Sequence, residues 1–292
     1  MKCLGGEDSK AALRVASYDR SSNSAPSIPS AADLEKDSAS LHRDLAIARE
    51  VQRASFPQRP PGIPGLSFAS FYKPVLCVGG DYYDVLPLQN GAWGIGIGDV
   101  SGKGIGAALV MANLQASIRA QTFQPRSELE TLMANVNRLV WASSPRHFFA
   151  SLFYAKYEVE TRELQYVNAG HNAPMVLRWK HNQCEIFYLE ASGAPLGLFE
   201  GSQFTSKAFQ LEKGDVFVAY TDGITESENS CGESWRQERL ETLLRARSDC
   251  TPAQIVGHIV EEVLAFAKER SQGDDMTLVV VGVKDEARML AR

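Results

Sequence analysis

Trp93-Gly94-Ile95-Gly96-Ile97-Gly98-Asp99-Val100-Ser101-Gly102-Lys103-Gly104 contains the transition on which the fold reading turns. Apolar residues alternating with glycine predict a strand over residues 93–98. The run that opens at Gly106 carries apolar residues at helical spacing and predicts a helix over 106–121. Between them an aspartate stands at the strand's end, among glycines that let the backbone turn tightly. Upstream, short β-type runs cover 66–72 and 82–88. Downstream, a second helix is predicted over 127–141, where Ser127 and Glu130 have capping-box spacing.

Six more strands are expected at 149–158, 164–168, 174–179, 185–189, 204–211 and 216–220. A helix pair at 234–247 and 252–270 follows, and an apolar β-branched strand over 276–283 closes the series. Strands joined by short turns, with helices arriving in consecutive pairs, indicate antiparallel sheets covered by helices. The fold class expected is therefore α+β, and not a doubly wound nucleotide-binding fold. The sequence shows no internal repeat.

The flanks differ in character. Residues 1–32 are rich in Ser, Ala and Pro and are expected to form a flexible polar tail. Asp33 is placed to cap a helix reaching about Ser55, with Pro57 ending it and a Pro-rich connector to Pro64. The apolar stripe of this helix, including Leu34, Leu41, Leu45, Ile47 and Val51, needs a partner. Either the main domain or the same helix of a second chain would serve, so a homodimer is one expectation. The division expected is a tail over 1–32, helix and connector over 33–64, a catalytic domain over 65–284 and a C-terminal tail over 285–292.

Composition excludes several classes. The 44% hydrophobic content of the 292 residues supports one large core, and disorder cannot dominate. The 30 basic against 35 acidic residues leave a net charge of -5, which gives no reason to expect nucleic acid. Five scattered cysteines, none in a C-x-x-C pair, suggest neither a disulfide framework nor a zinc ribbon. There is no signal-peptide pattern and no run of about 18 apolar residues to span a bilayer, so a cytoplasmic protein without membrane insertion is expected.

Two glycine patterns are decoys. The stretch from Ile97 to Lys103 fails as a P-loop, with Ile97 in place of glycine and Gly104 in place of Ser or Thr. Gly94, Gly96 and Gly98 have G-x-G-x-G spacing, which is not the dinucleotide fingerprint, and the crossover helices are absent. No nucleotide cofactor is expected.

The chemistry resides in aspartates beside glycine: Gly79-Gly80-Asp81, Gly98-Asp99-Val100, Thr221-Asp222-Gly223 and Gly273-Asp274-Asp275. Carboxylates gathered from separate strands repel one another and raise each other's pKa unless divalent cations neutralise them. Oxygen donors without Cys or His favour Mg²⁺ or Mn²⁺ over Zn²⁺. Two such ions about 4 Å apart can share a water and aim it at phosphorus, so no Ser, Cys or His nucleophile is required. His171 has two readings, a general acid or a residue fixing a turn, and the structural one is preferred. Lys103 also has two readings, contact with substrate phosphate or a residue fringing a helix start, and the second is preferred. His147 and His181 read as loop residues.

The ordered motifs G-G-D-Y-Y-D, G-D-V-S-G-K-G-I-G-A-A-L, N-A-G-H-N-A-P, T-D-G-I-T-E and G-D-D-M-T-L-V-V-V resemble those of the SpoIIE/RsbU-like branch of the PPM (type 2C) protein phosphatases. The preceding A-R-E-V-Q-R-A-S-F-P resembles that family's linker helix. The resemblance implies an α-β-β-α sandwich with a two-metal centre at one edge of the sheets. It assigns Asp81 and Asp99 as ligands around the bridging water, with the Val100 carbonyl helping to hold one ion. Asp222 and Asp274 match the ligands of the other ion. Asp275 is an alternative or supporting ligand, and Asp84 a weaker supporting candidate.

The implied activity is hydrolysis of phosphoserine or phosphothreonine, with a STAS-type anti-sigma antagonist as the implied substrate. The arginine that eukaryotic relatives use to grip phosphate has no counterpart before Gly79 apart from Arg53 and Arg59, so metals and backbone are expected to hold the phosphate. A protein activator acting through the N-terminal helix is a further expectation. A metal-free scaffold and a two-metal phosphoesterase of other specificity are the rival readings.

Overall fold

A computed structural model describes residues 31–59, 62–122, 128–181, 183–268 and 270–284. Of the expected tails over 1–32 and 285–292, residues 1–30 and 285–292 lie outside the described residues, while Ala31 and Ala32 are helical. The chain divides into Met1–His42 and Arg43–Arg292. In the first unit the described part is helical. It is the beginning of α1 (Ala31–Ser55). This helix starts two residues before Asp33, because Ala31 and Ala32 are themselves strong helix formers, so Asp33 lies inside the first turn.

In the second unit β1 (Leu66–Lys73), β10 (Met276–Val283), β9 (Val216–Tyr220), β6 (Met175–Lys180) and β7 (Gln183–Tyr188) form one sheet in that order. The other sheet runs β2 (Tyr82–Pro87), β3 (Trp93–Val100), β4 (Ala150–Tyr157), β5 (Glu163–Ala169) and β8 (Lys207–Gln210). Every strand pairing among the described residues is antiparallel. Helices α2 (Ile105–Thr122) and α3 (Leu129–Ser143) cover the second sheet. Helices α5 (Gln237–Arg245) and α6 (Pro252–Ala267) form a pair, with α6 lying on the first sheet. The result is the expected α+β sandwich.

Strand periodicity distributes the core. Along β10, Val279, Val281 and Val283 face the layer between the sheets, while Leu278 and Val280 pack toward Ile255, Ile259 and Val263 of α6. Both faces of this strand are buried and it pairs on both edges, which explains its continuous apolar sequence. The alternating glycines of β3 have a packing explanation. A Cβ on Gly94 would stand 2.3 Å from the hydroxyl of Tyr154, and one on Gly96 would stand 3.0 Å from the ring of Tyr82. Both tyrosines are fully buried, so the missing side chains make room for their rings.

Three expectations are corrected. The strand expected over 204–211 is only Lys207–Gln210: Phe204 is apolar because it is buried in a loop against Gly193, and β8 is an edge strand paired with β5 alone. Ser127 lies outside the described residues, and α3 begins after Glu128 without a side-chain cap. Glu130 instead accepts hydrogen bonds from the backbone N–H (3.0 Å) and hydroxyl of Ser206. A true capping box occurs at α6, where Thr251 and Gln254 bond reciprocally. The helix expected over 234–247 starts only at Gln237, because Arg236 has φ of 66° and cannot continue a helix backwards.

Candidate metal centre

The site forms where both sheets end on the same side. Asp81 immediately precedes β2, and Asp99 and Val100 are the last residues of β3. Asp222 opens the one-turn helix α4 (Asp222–Thr225), separated from β9 by Thr221 alone. Asp274 and Asp275 directly precede β10. Four segments distant in sequence therefore bring carboxylates close enough to act on one another's charge.

Close backbone approach makes the convergence possible. A Cβ on Gly223 would stand 1.9 Å from the Asp275 carbonyl oxygen, and one on Gly80 would stand 2.8 Å from the Val100 carbonyl oxygen. No larger residue fits at either position.

Each carboxylate has its own setting. Asp81 is only 1% exposed, and its Oδ2 accepts from the hydroxyls of Thr221 (2.8 Å) and Thr277 (2.5 Å). Thr277 in turn donates its backbone N–H to the Thr221 hydroxyl oxygen at 2.9 Å. Asp275 accepts from the backbone N–H groups of Val75 and Gly80, each at 2.7 Å, which turns its carboxylate toward the loop carrying Asp81. Asp274 accepts from the Asp275 backbone N–H at 2.9 Å through Oδ1, and its Oδ2 lies 2.9 Å from the Lys103 ammonium.

The electrostatics are those of a crowded anionic site. Burial, then repulsion from Asp222, Asp274 and Asp275, pushes Asp99 up to about 8. Burial and the charges of Asp274 and Glu226 push Asp222 up to about 6. Asp81 is raised well above the ordinary carboxylate range by burial and by Asp99. Asp275 is raised mainly by burial, against the lowering effect of its backbone hydrogen bonds. Without counter-charge the cluster must therefore hold protons near neutral pH.

Among the described residues, no three His, Cys, Asp or Glu side chains form a ready-made ion cage. Asp274 is paired with Lys103, while the two threonines engage only Oδ2 of Asp81. The donor set fits a hard divalent cation nonetheless: carboxylates and the Val100 carbonyl oxygen, with no sulfur or imidazole.

The remaining candidates lie elsewhere. Asp84 is 2% exposed and paired with Arg119 at 2.7 Å, facing α2 and not the carboxylate cluster. His171 is buried, and burial lowers it to about 4, so it is neutral at pH 7. Its backbone N–H donates to Asn168 Oδ1 (2.8 Å) and its Nδ1 lies 2.9 Å from the Ser151 hydroxyl, the geometry of a residue fixing a turn.

Sequence reasoning missed three contributors. Thr221 and Thr277 flank the motif aspartates and could have been noticed as hydroxyls beside carboxylates. Gln52, in α1, has no such signal: its side chain donates to the Gly79 carbonyl (2.7 Å) and accepts from the Gly79 N–H (3.1 Å) and the Tyr72 hydroxyl (3.0 Å). It ties the second half of α1 to the loop that carries Asp81.

Among known families, the one described as Stage II sporulation protein E (SpoIIE) matches residues 89–284. The chain belongs to the SpoIIE family. It is thereby a PPM-type serine phosphatase by descent. Phosphoserine phosphatase RsbU of Bacillus subtilis (strain 168) is 29% identical over 244 residues, which cover 82% of this chain and 70% of RsbU.

Solved structures confirm the fold. The SiaA-PP2C domain of Pseudomonas aeruginosa superposes with a TM-score of 0.72 at 18% identity, covering 84% of this SpoIIE-family chain and 97% of that domain. The catalytic domain of the serine threonine protein phosphatase PstP, determined in complex with 2 manganese ions, gives 0.56 at 16% identity, covering 75% and 99%. Among the described residues, no helix is long and apolar enough to cross a membrane.

Proposed function

We propose that this chain hydrolyses phosphoserine or phosphothreonine on a protein substrate, with two divalent ions, Mn²⁺ or Mg²⁺, held by Asp81, Asp99, Asp222, Asp274 and the Val100 carbonyl. The observation that carries the reading is the convergence of mutually repelling carboxylates from four separate segments, a placement that costs stability unless cations neutralise it. The manganese pair of the PstP domain, which shares the fold, supports it. When bound, the ions supply Lewis-acid charge and activate water toward phosphorus.

The chain's own groups do the positioning. Thr221 and Thr277 orient Asp81, leaving its Oδ1 free of their hydroxyls. Asp275, bonded to Val75 and Gly80, holds the Gly79–Gly80–Asp81 loop at the distance the site requires. Asp274 lines a surface cleft with Gly223 and Glu226, and Asp222, next to Gly223 in sequence, feels the charges of Asp274 and Glu226.

A STAS-type antagonist is the protein substrate this reading favours, on the strength of the motif resemblance and the similarity to RsbU. The reading includes a cytoplasmic setting and the domain division at residues 64 and 284. It also includes control through α1 by a protein activator or by pairing of two chains. Ile47 and Val51 of that helix are 60% and 65% exposed, and Gln52 beside them reaches the Asp81 loop.

The test is Mn²⁺-dependent phosphate release from a phosphoserine protein by wild type, Asp99→Asn and Asp222→Asn at matched folding. Both variants should lose activity by roughly 100-fold or more and bind Mn²⁺ more weakly in calorimetry. Undiminished turnover in both would refute the assignment, and a wild-type chain that binds no metal would favour the scaffold.

A further inference from the structure

Lys103 occupies the turn between β3 and α2, between Gly102 (φ 90°) and Gly104 (φ 72°), which lets its long side chain double back over the carboxylates. Its ammonium is 2.9 Å from Asp274 Oδ2 and also donates to the Gly273 carbonyl. The side chain is 45% exposed and lines a cleft of about 290 Å³ shared with Asp274, Glu226, Glu228, Gly223 and Arg270. Arg270, the other cation of that lining, is paired with Glu228 at 2.5 Å. Arg53, one of the two arginines that precede Gly79 most nearly in sequence, lines a separate groove on α1 with Arg49 and Glu50.

We propose that Lys103 grips the phosphate of the substrate, and that Asp274 holds its ammonium in reserve until a divalent ion claims that carboxylate. This rests on the phosphatase reading above and adds a phosphate-contacting residue to it. An ammonium and a divalent cation cannot both sit against one carboxylate oxygen without repelling each other, so loading the centre releases Lys103. The released group has three donors on a flexible stem, and the next anion to enter the cleft is the phosphoryl group. A charge-assisted hydrogen bond from lysine thus does work that relatives assign to arginine.

The test compares wild type, Lys103→Met and Lys103→Arg, all confirmed folded by circular dichroism. Mn²⁺ affinity is read by electron paramagnetic resonance, binding of inorganic phosphate to the Mn²⁺-loaded protein by calorimetry, and KM and kcat on a phosphoserine protein. Lys103→Met should bind Mn²⁺ roughly two- to fivefold more tightly, because the competing ion pair is gone. It should bind phosphate roughly tenfold more weakly and show a matching rise in KM. Lys103→Arg should restore most of the phosphate binding.

Unchanged phosphate affinity in Lys103→Met overturns the proposal, as does unchanged or weaker Mn²⁺ binding. A wild-type chain that binds Mn²⁺ and phosphate but never turns over a phosphoprotein defeats the phosphatase reading. In that case the two binding measurements still decide the role of Lys103.

Discussion

Asp99 bears the highest cost on ionisation among the carboxylates whose shifts have a stated size. In the native chain it titrates at about 8 and Asp222 at about 6, against 3.8 for an ordinary aspartate. Folded-state values above the unfolded ones mean that the native state holds extra protons between pH 4 and 8. The stability these protons confer is complete below about pH 4 and is lost as pH rises through the folded values. The metal-free protein should therefore lose melting temperature between pH 6 and 8.5. Saturating Mn²⁺ should flatten that slope by supplying counter-charge, and Asp99→Asn should flatten it in EDTA. Thermal denaturation of both proteins with EDTA and with Mn²⁺ checks this; an equal slope in all four conditions would exclude the repulsion as its source.

At the scale of elements, β2, α2 and the end of α1 meet at one buried charge. Asp84 accepts from Arg119 Nε, while Arg119 and Gln115 both donate to the Ser55 carbonyl, the last of α1. This aspartate is buried, and the guanidinium is its partner at 2.7 Å. Arg119→Leu should destabilise the fold by about 3 kcal/mol in urea denaturation, since it strands a buried carboxylate. Replacing Asp84 by Leu as well should recover most of that loss. A double variant as unstable as the single one would mean that the Ser55 contacts, and not the stranded charge, dominate.

Over the whole molecule, the apolar residues exposed on α1 stand apart from the packed sandwich. Ile47 and Val51 bury little within the chain, whereas the residues between the sheets are almost wholly enclosed. If two chains pair through this helix, Ile47→Asp with Val51→Asp should convert a dimer to a monomer in light scattering and change the specific activity through the Gln52 contact. A monomeric wild-type protein would leave the activator as the occupant of that face.

Much of this was legible from residues alone. Period-two and period-3.6 apolar patterns fixed nearly every element to within a few residues, because burial on one face or both imposes the pattern directly. Turn chemistry placed the aspartates beside glycine, and hard oxygen donors selected the class of metal. Tertiary structure decided what depends on partners distant in sequence. Phe204 proved to be loop core and not strand, because an apolar residue shows that it is buried without showing how. Asp84 was drawn to Arg119, Asp81 to Thr221 and Thr277, and Gln52 to Gly79; the pairings span 27 to 196 residues, and no local pattern encodes them. The sequence by itself determined which groups this protein brings to its centre, since composition and spacing are local. Which of them face inward and which are held by neighbours emerged only from the fold, since hydrogen bonds and charges act through space.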